Sequence, residues 1–213
     1  MVNKISIGVL VSGSGSNLQS LIDHIEQGTL DAEIRLVISN NPGAFALDRC
    51  RRHGIPAIVV DHGEFPSRER FDCRMIELLR NAGVELVVMA GFMRILSPEF
   101  FRAFPTRIMN IHPALLPAFP GTHVQQKAID YGVKYSGCTV HFADEGVDTG
   151  PIILQAAVPV YDEDNAESLA ARILKEEHKI YPKAIQYYAE GRLVIEGRRV
   201  KIRNSSGRPN HCP

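Results

Sequence analysis

The stretch Ile5–Glu26, ISIGVLVSGSGSNLQSLIDHIE, decides the fold. Its first seven residues, Ile5–Val11, form an apolar run broken only by Ser6 and Gly8, the length and composition of a strand. From Asn17 to Glu26 the apolar side chains Leu18, Leu21, Ile22 and Ile25 recur at helical spacing. Strand, glycine turn and helix in that order open a βαβ unit. The connecting Gly13 and Gly15 let the backbone turn tightly and come close to a ligand. The amides of Gly15, Ser16 and Asn17 then fall at a helix N-terminus, where an anion is stabilised. In G-x-G-x-x-G the third glycine would fall at Leu18, and G-x-x-x-x-G-K-[ST] is absent, so the expected ligand is a monophosphate, not a dinucleotide. The plainer alternative is that Ser16 or Asn17 only caps the helix.

The alternation continues outward. Glu33–Ser39, Ala57–Val60 and Glu85–Ala90 read as strands, the last nearly all apolar, as a parallel strand covered on both faces should be. Phe45–His53, ended by Gly54, and Arg68–Asn81 read as helices. After residue 105 the style changes. Arg107–His112 is a strand stopped by Pro113, and a proline-rich loop runs from there to Gly121. His123–Tyr131 is expected to be helical, Ser136–Ala143 and Ile152–Val160 to be strands, and Ala166–Tyr188 to be a long helix bent at Pro182. The expectation is one α/β, Rossmann-like domain over residues 1–198, with a mostly parallel twisted sheet flanked by helices. Its phosphate-binding half is about 1–105, and about 106–198 carries an antiparallel portion and the catalytic residues. Residues 199–213 read as a tail, disordered at its end.

The chain has 213 residues, enough for one sizeable core. With 24 basic and 24 acidic residues the formal charge is zero, which weighs against nucleic-acid binding by bulk phosphate neutralisation and against a polybasic membrane surface. The longest strongly apolar run, Leu86–Met93, is too short for a bilayer, which needs about 20 residues. Cys50, Cys73, Cys138 and Cys212 form no C-x-x-C pair and read as free thiols of a reducing cytoplasm. The histidines lack metal-ligand spacing, so no metal is expected.

The candidate chemistry lies in Met109-Asn110-Ile111-His112-Pro113. Side chains at i and i+2 of a strand share a face, so Asn110 and His112 point together, at the carboxyl end where α/β sheets bind ligands. A carboxamide donor beside an imidazole suits acyl transfer: one stabilises an oxyanion, the other moves a proton. Asp148, in the glycine-framed loop Asp144–Gly150, would fix the histidine tautomer and raise its pKa if it reached His112. A structural polar pair at a strand end and a solvated acidic turn are the plainer alternatives.

Four segments together, SGSGSNLQSLI from Ser12, AGFMRILSP at 90–98, NIHPALLPAFPGTH at 110–123 and HFADEGVDTGPIILQ at 141–155, resemble the 10-formyltetrahydrofolate-dependent formyltransferase family over about residues 4–195. The resemblance implies the fold above, a formyl-folate co-substrate, no metal, and an acceptor of the glycinamide ribonucleotide type in purine synthesis. It places the ribonucleotide phosphate at Gly15, Ser16 and Asn17, and its ribose and glycinamide at Glu177. The pterin falls at Met93, Arg94, Ile95 and Leu96, with Arg68 near the folate's carboxylate tail and the loop of Asp144, Glu145, Gly146, Val147 and Asp148 over the folate. Asn110, His112 and Asp148 match the catalytic trio, with Asn110 and Asp148 also touching the folate, and His123 and His141 are supporting polar residues. The thiols and the lack of a signal-like segment point to the cytoplasm, the charge and run lengths to no nucleic-acid or membrane partner, and the expected assembly is a monomer or homodimer. Relatives that hydrolyse formyl-folate or formylate another amine are the rival activities.

Overall fold

The computed structural model describes residues 4–204. Nine strands make one sheet in the order β3-β2-β1-β4-β5-β6-β7-β9-β8. Its first five members in that order, β3 (Ala57–Val59), β2 (Ala32–Ser39), β1 (Ile5–Val11), β4 (Leu86–Met89) and β5 (Ile108–His112), are all parallel. Beyond β5 the sheet turns antiparallel through β6 (Tyr135–Phe142) and β7 (Ile152–Pro159). The chain leaves β1 on one side toward β2 and returns on the other at β4, so the β1–β4 edge is the switch point where α/β sheets open a crevice.

Helices cover both faces. α1 (Ser16–Glu26) and the 24-residue α6 (Ala166–Ala189) pack Leu18, Leu21, Ile173 and Ile185 on Ile7, Val9 and Val11. α3 (Arg68–Asn81) and the short α4 (Pro98–Ala103) bring Phe71, Met75, Leu79 and Phe100 against Leu10, Val87 and Met89 on the other face. The alternation of Val9 and Val11 against Leu10 is the period-2 pattern of a doubly covered strand. Gly8 fits this packing closely: a Cβ there would lie 2.5 Å from Leu79 Cδ2 and 3.0 Å from Val84 Cγ2, so those side chains would have to shift. α2 (Ala46–Arg52) and α5 (Val124–Tyr131) complete the helices.

Several boundaries depart from the expected ones. β3 stops at Val59, and Val60 has already left the strand, its amide still bonded to the Ser39 carbonyl. α5 begins at Val124, because His123 takes a left-handed conformation (φ 56°) that breaks the helical path. α6 ends at Ala189, one residue beyond the expected end, with Pro182 inside it. The proline has no N–H for the His178 carbonyl, and the Ser20 hydroxyl of α1 supplies the missing donor at 3.0 Å. The short α4 has no counterpart in the expected elements. The boundary at 198 falls inside a hairpin, β8 (Leu193–Glu196) with β9 (Arg199–Ile202), turning at the left-handed Gly197. β9 pairs parallel with β7 through Ile152 and Arg199, so residues 199–202 belong to the sheet. The disorder expected at the chain end falls on residues 205–213, outside the described ones.

Candidate active site

Beyond the carboxyl ends of β4 and β5 lies a cleft of about 650 Å³. One wall is the segment between β4 and α4, where Met93 and Ile95 are 70% and 59% exposed and Leu96 is buried beneath them. The opposite wall is the loop Asp144–Asp148. Its turn is built by Asp144, whose carboxylate accepts from Gly146 N at 3.2 Å and from the Thr149 hydroxyl at 2.6 Å.

At the floor, Asn110, His112 and Asp148 converge. His112 is 4% exposed, with Nδ1 3.3 Å from Asp148 Oδ2 and Nε2 2.9 Å from the Phe119 carbonyl. Asn110 Nδ2 lies 3.4 Å from Asp148 Oδ1 and 3.2 Å from His141 Nε2. Asp148 also accepts from Gly121 N at 2.9 Å, so the loop after the proline-rich segment is fastened to it. The aspartate sits at φ 55°, a left-handed conformation that non-glycine residues adopt at a cost, held here by its four polar neighbours.

The electrostatics correct one expectation. Asp148 does push the His112 pKa upward, as does the Phe119 carbonyl, but burial outweighs both and the imidazole titrates below its ordinary value. The ring is therefore predominantly neutral near pH 7, yet both nitrogens face acceptors, so a proton taken up at Nδ1 meets a carboxylate at once. For Asp148, burial pushes the carboxyl up, and hydrogen bonds from His141 and Gly121 with the adjacent imidazoles bring it below the usual carboxylate range.

The phosphate loop forms a second cluster. Gly15 is the residue before α1, left-handed at φ 68°, and no side chain among the described residues caps the helix, so the simple capping alternative is not what this loop does. Arg49 of α2 braces the loop by donating from Nε to the Ser14 carbonyl at 2.9 Å. Asn17 Nδ2 donates to Glu177 Oε2 at 2.8 Å, while Asn17 Oδ1 is buried with no partner among the described residues. Burial raises the Glu177 pKa and the Asn17 hydrogen bond only partly offsets it. Gly15, Ser16, Asn17 and Glu177 thus sit together, adjacent to the cleft without lining it.

Of the other expected residues, Met93, Arg94, Ile95, Leu96 and the stretch 144–148 all line the cleft, as do His123 and His141. His141 lies 3.6 Å from Asp148 Oδ1 and is 1% exposed, in the place expected of a supporting polar residue near the site. Arg68 does not line the cleft; it stands exposed at the start of α3, 3.7 Å from Glu69. Sequence reasoning passed over Ser12, Arg49, Phe119 and Gly121. The first and last two lie within motifs that drew attention for other reasons, whereas Arg49 carries no local signal. Among the described residues there is no group of three or more His, Cys, Asp or Glu side chains that could hold a metal, and no helix is long and apolar enough to cross a membrane.

A carboxamide donor and a buried proton carrier share a cleft whose walls contain no serine or cysteine nucleophile among the described residues, which makes the fold a scaffold for direct transfer of a small acyl group. The formyl transferase family model matches residues 5–185, and the chain belongs to that family. It is 43% identical over 190 residues to the phosphoribosylglycinamide formyltransferase of Escherichia coli (strain K12), covering 89% of this chain and 90% of that protein. It is 49% identical to the trifunctional purine biosynthetic protein adenosine-3 of Drosophila melanogaster over 89% of this chain, which spans only 14% of that protein's length. A solved structure of glycinamide ribonucleotide transformylase 1 from Symbiobacterium toebii superposes with a TM-score of 0.94 at 53% identity, covering 96% of both chains.

Proposed function

We propose that this chain transfers the formyl group of 10-formyltetrahydrofolate to the amine of glycinamide ribonucleotide, giving formylglycinamide ribonucleotide and tetrahydrofolate. The observation that carries the reading is the convergence of Asn110, His112 and Asp148 at the floor of a cleft with an apolar wall, beside an uncapped helix N-terminus that suits a phosphate. Similarity to proteins named for this reaction supports the choice of both substrates.

In this reading the pterin lies against Met93, Arg94, Ile95 and Leu96, and Arg68, exposed outside the cleft, is the cation offered to the folate's carboxylate tail. The ribonucleotide phosphate accepts from the free amides at Gly15, Ser16 and Asn17, and Glu177 with Asn17 holds the sugar end. The glycinamide nitrogen attacks the formyl carbon, and the formyl oxygen gathers negative charge. Asn110 turns its Nδ2 donors from Asp148 to that oxygen. His112 takes a proton at Nδ1, where Asp148 stabilises the imidazolium, and the positive charge of the ring offsets the developing oxyanion. The attacking nitrogen loses one proton, the folate N10 gains one as the C–N10 bond breaks, and the imidazole returns to neutral. A ring that is neutral at rest and gains a carboxylate partner when protonated suits this relay. An oxyanion donor of this kind is worth about 3–4 kcal/mol in the transition state.

The test incubates purified protein with formyl-folate, with and without glycinamide ribonucleotide. Formyl-folate loss that requires the ribonucleotide, with formylated product appearing, is the expected result. Equal loss without the acceptor would replace the transferase reading with hydrolysis.

A further inference from the structure

Among the described residues, Ser12 is the one whose side chain hydrogen-bonds the phosphate loop to the folate-side wall. Its Oγ accepts from the Met93 amide at 2.8 Å and donates to Asn40 Oδ1 at 2.6 Å. Its backbone N–H donates to the Gly91 carbonyl at 3.1 Å, and its carbonyl accepts from Asn41 Nδ2 at 3.3 Å. Four bonds thus gather the segments that leave β1, β2 and β4 at the switch point. Asn40 is buried, so the hydroxyl proton is anchored from beneath and the oxygen is turned to accept from the Met93 amide.

The wall depends on this anchor. Gly91 turns the chain out of β4 at φ 75°, and Met93 and Ile95 then stand mostly in solvent with little burial to fix them. Between Phe92 and Leu96 the hydrogen bond found among the described residues is the one from Met93 to Ser12. On the other side, Ser12 begins the turn whose next residues, Gly13 to Gly15, set the direction of the amides at the start of α1.

We propose that Ser12 is a positioning residue that couples the two substrate subsites, so that occupancy of either one raises the affinity of the other. The ligand identities rest on the functional reading above. A ligand lying on Met93–Leu96 restrains the Met93 amide, which restrains Ser12, and with it the turn into the phosphate loop. The ordering borne by the first ligand is then already in place for the second, which is positive coupling without a change of fold. Linkage requires the coupling factor to be the same whichever ligand binds first.

Isothermal titration tests this with the full chain and the unreactive pair tetrahydrofolate and glycinamide ribonucleotide, which lacks a formyl group to transfer. For the wild type, saturating ribonucleotide should tighten tetrahydrofolate binding about 5-fold, at the low end of measured couplings, and the reciprocal titration should return the same factor. Ser12→Ala should bring the factor close to one, and Ser12→Thr, which keeps the hydroxyl, should restore it. A wild type that binds both ligands with no mutual effect overturns the coupling and leaves the functional reading standing. A Ser12→Ala protein with the wild-type factor overturns the role of Ser12. If Ser12→Ala does not fold, a Ser12→Thr factor near one overturns the hydroxyl's part, and one near the wild type's upholds it. Failure of the wild type to bind either ligand overturns the functional reading together with the coupling.

Discussion

Replacing Gly15 by alanine should cost both stability and ribonucleotide affinity, and the structure indicates how much. The residue lies at φ 68°, where a side chain is strained by about 1–2 kcal/mol. The new Cβ would stand 2.6 Å from Ala46 Cβ and 2.9 Å from Ala46 Cα, distances that force α2 away from the loop. Overpacking of this kind costs about 1–3 kcal/mol. Together the two effects give about 2–5 kcal/mol, and at about 2–4 °C per kcal/mol for a chain of this size the Tm should fall by at least about 4 °C. α2 is tied to the loop by the Ala46 amide on the Gly13 carbonyl and by Arg49 on the Ser14 carbonyl, so its displacement disturbs the amides offered to the phosphate. The KM for glycinamide ribonucleotide should rise about 10-fold or more, since misplacement by 1 Å can cost about 100-fold. Gly13→Ala is the control, because a Cβ at Gly13 meets nothing within 4 Å and its φ is not left-handed. Its Tm should stay level or rise by the few tenths to 1 kcal/mol that a glycine-to-alanine change gives through the unfolded chain, about 4 °C at most. Thermal melts of the two variants beside the wild type, followed by initial rates against ribonucleotide concentration, decide the matter. Equal melting temperatures for Gly15→Ala and Gly13→Ala would refute the strained turn, and an unchanged KM in a destabilised Gly15→Ala would refute the phosphate site.

His112→Ala or Asp148→Asn should lower kcat by about 100- to 10,000-fold while the ribonucleotide KM stays within a few-fold, because both groups act as charge and protons move; steady-state rates at saturating formyl-folate check this, and near-wild-type kcat would remove the residue from the mechanism. The His112 pKa is depressed by folding, so the unfolded chain binds the proton first and stability falls as pH drops through about 6.5, the ordinary histidine value. Asp148 acts in the same direction at lower pH, its stabilisation being lost as pH falls through its depressed value. The Tm difference between pH 7.5 and pH 5.5 should therefore be smaller in His112→Gln than in the wild type, and an equal difference would show that the ring does not titrate as its burial implies. Burial pushes the Cys50 thiol to about 11, and burial with the nearby Glu177 and Glu176 charges pushes Cys138 to about 12, whereas Cys73 is exposed. Iodoacetamide at pH 8 followed by peptide mapping should modify Cys73 and spare Cys50 and Cys138; rapid labelling of either buried thiol in native protein would contradict the packing around it.

Local signals carried a large part of this protein. The apolar run Ile5–Val11, the glycine turn and the 3.6-residue pattern of Leu18, Leu21 and Ile22 specify strand, loop and helix within one short stretch, because periodicity and turn chemistry act between near neighbours. Asn110 and His112 could be placed side by side from strand geometry alone, and the motifs at 12–22, 90–98, 110–123 and 141–155 pointed to the family that the whole chain belongs to. The elements that went unrecognised, α4 and the β8–β9 hairpin, are four to six residues long, too short to show a period, and the hairpin is extended by pairing with β7.

What the tertiary structure alone decided are the contacts between distant segments and the sign of one titration. Asp148 meets His112 across 36 positions of chain, Asn17 meets Glu177 across 160, and Ser12 meets Met93 across 81, all through sheet order that no local pattern encodes. The pairing of Asp148 with His112 suggested a more basic imidazole, yet the ring is driven the other way. The charge that raises its pKa could be named from the sequence, but the loss of water that lowers it depends on how closely β5, β6 and the loops after them enclose the ring, and that enclosure exists only in the folded chain.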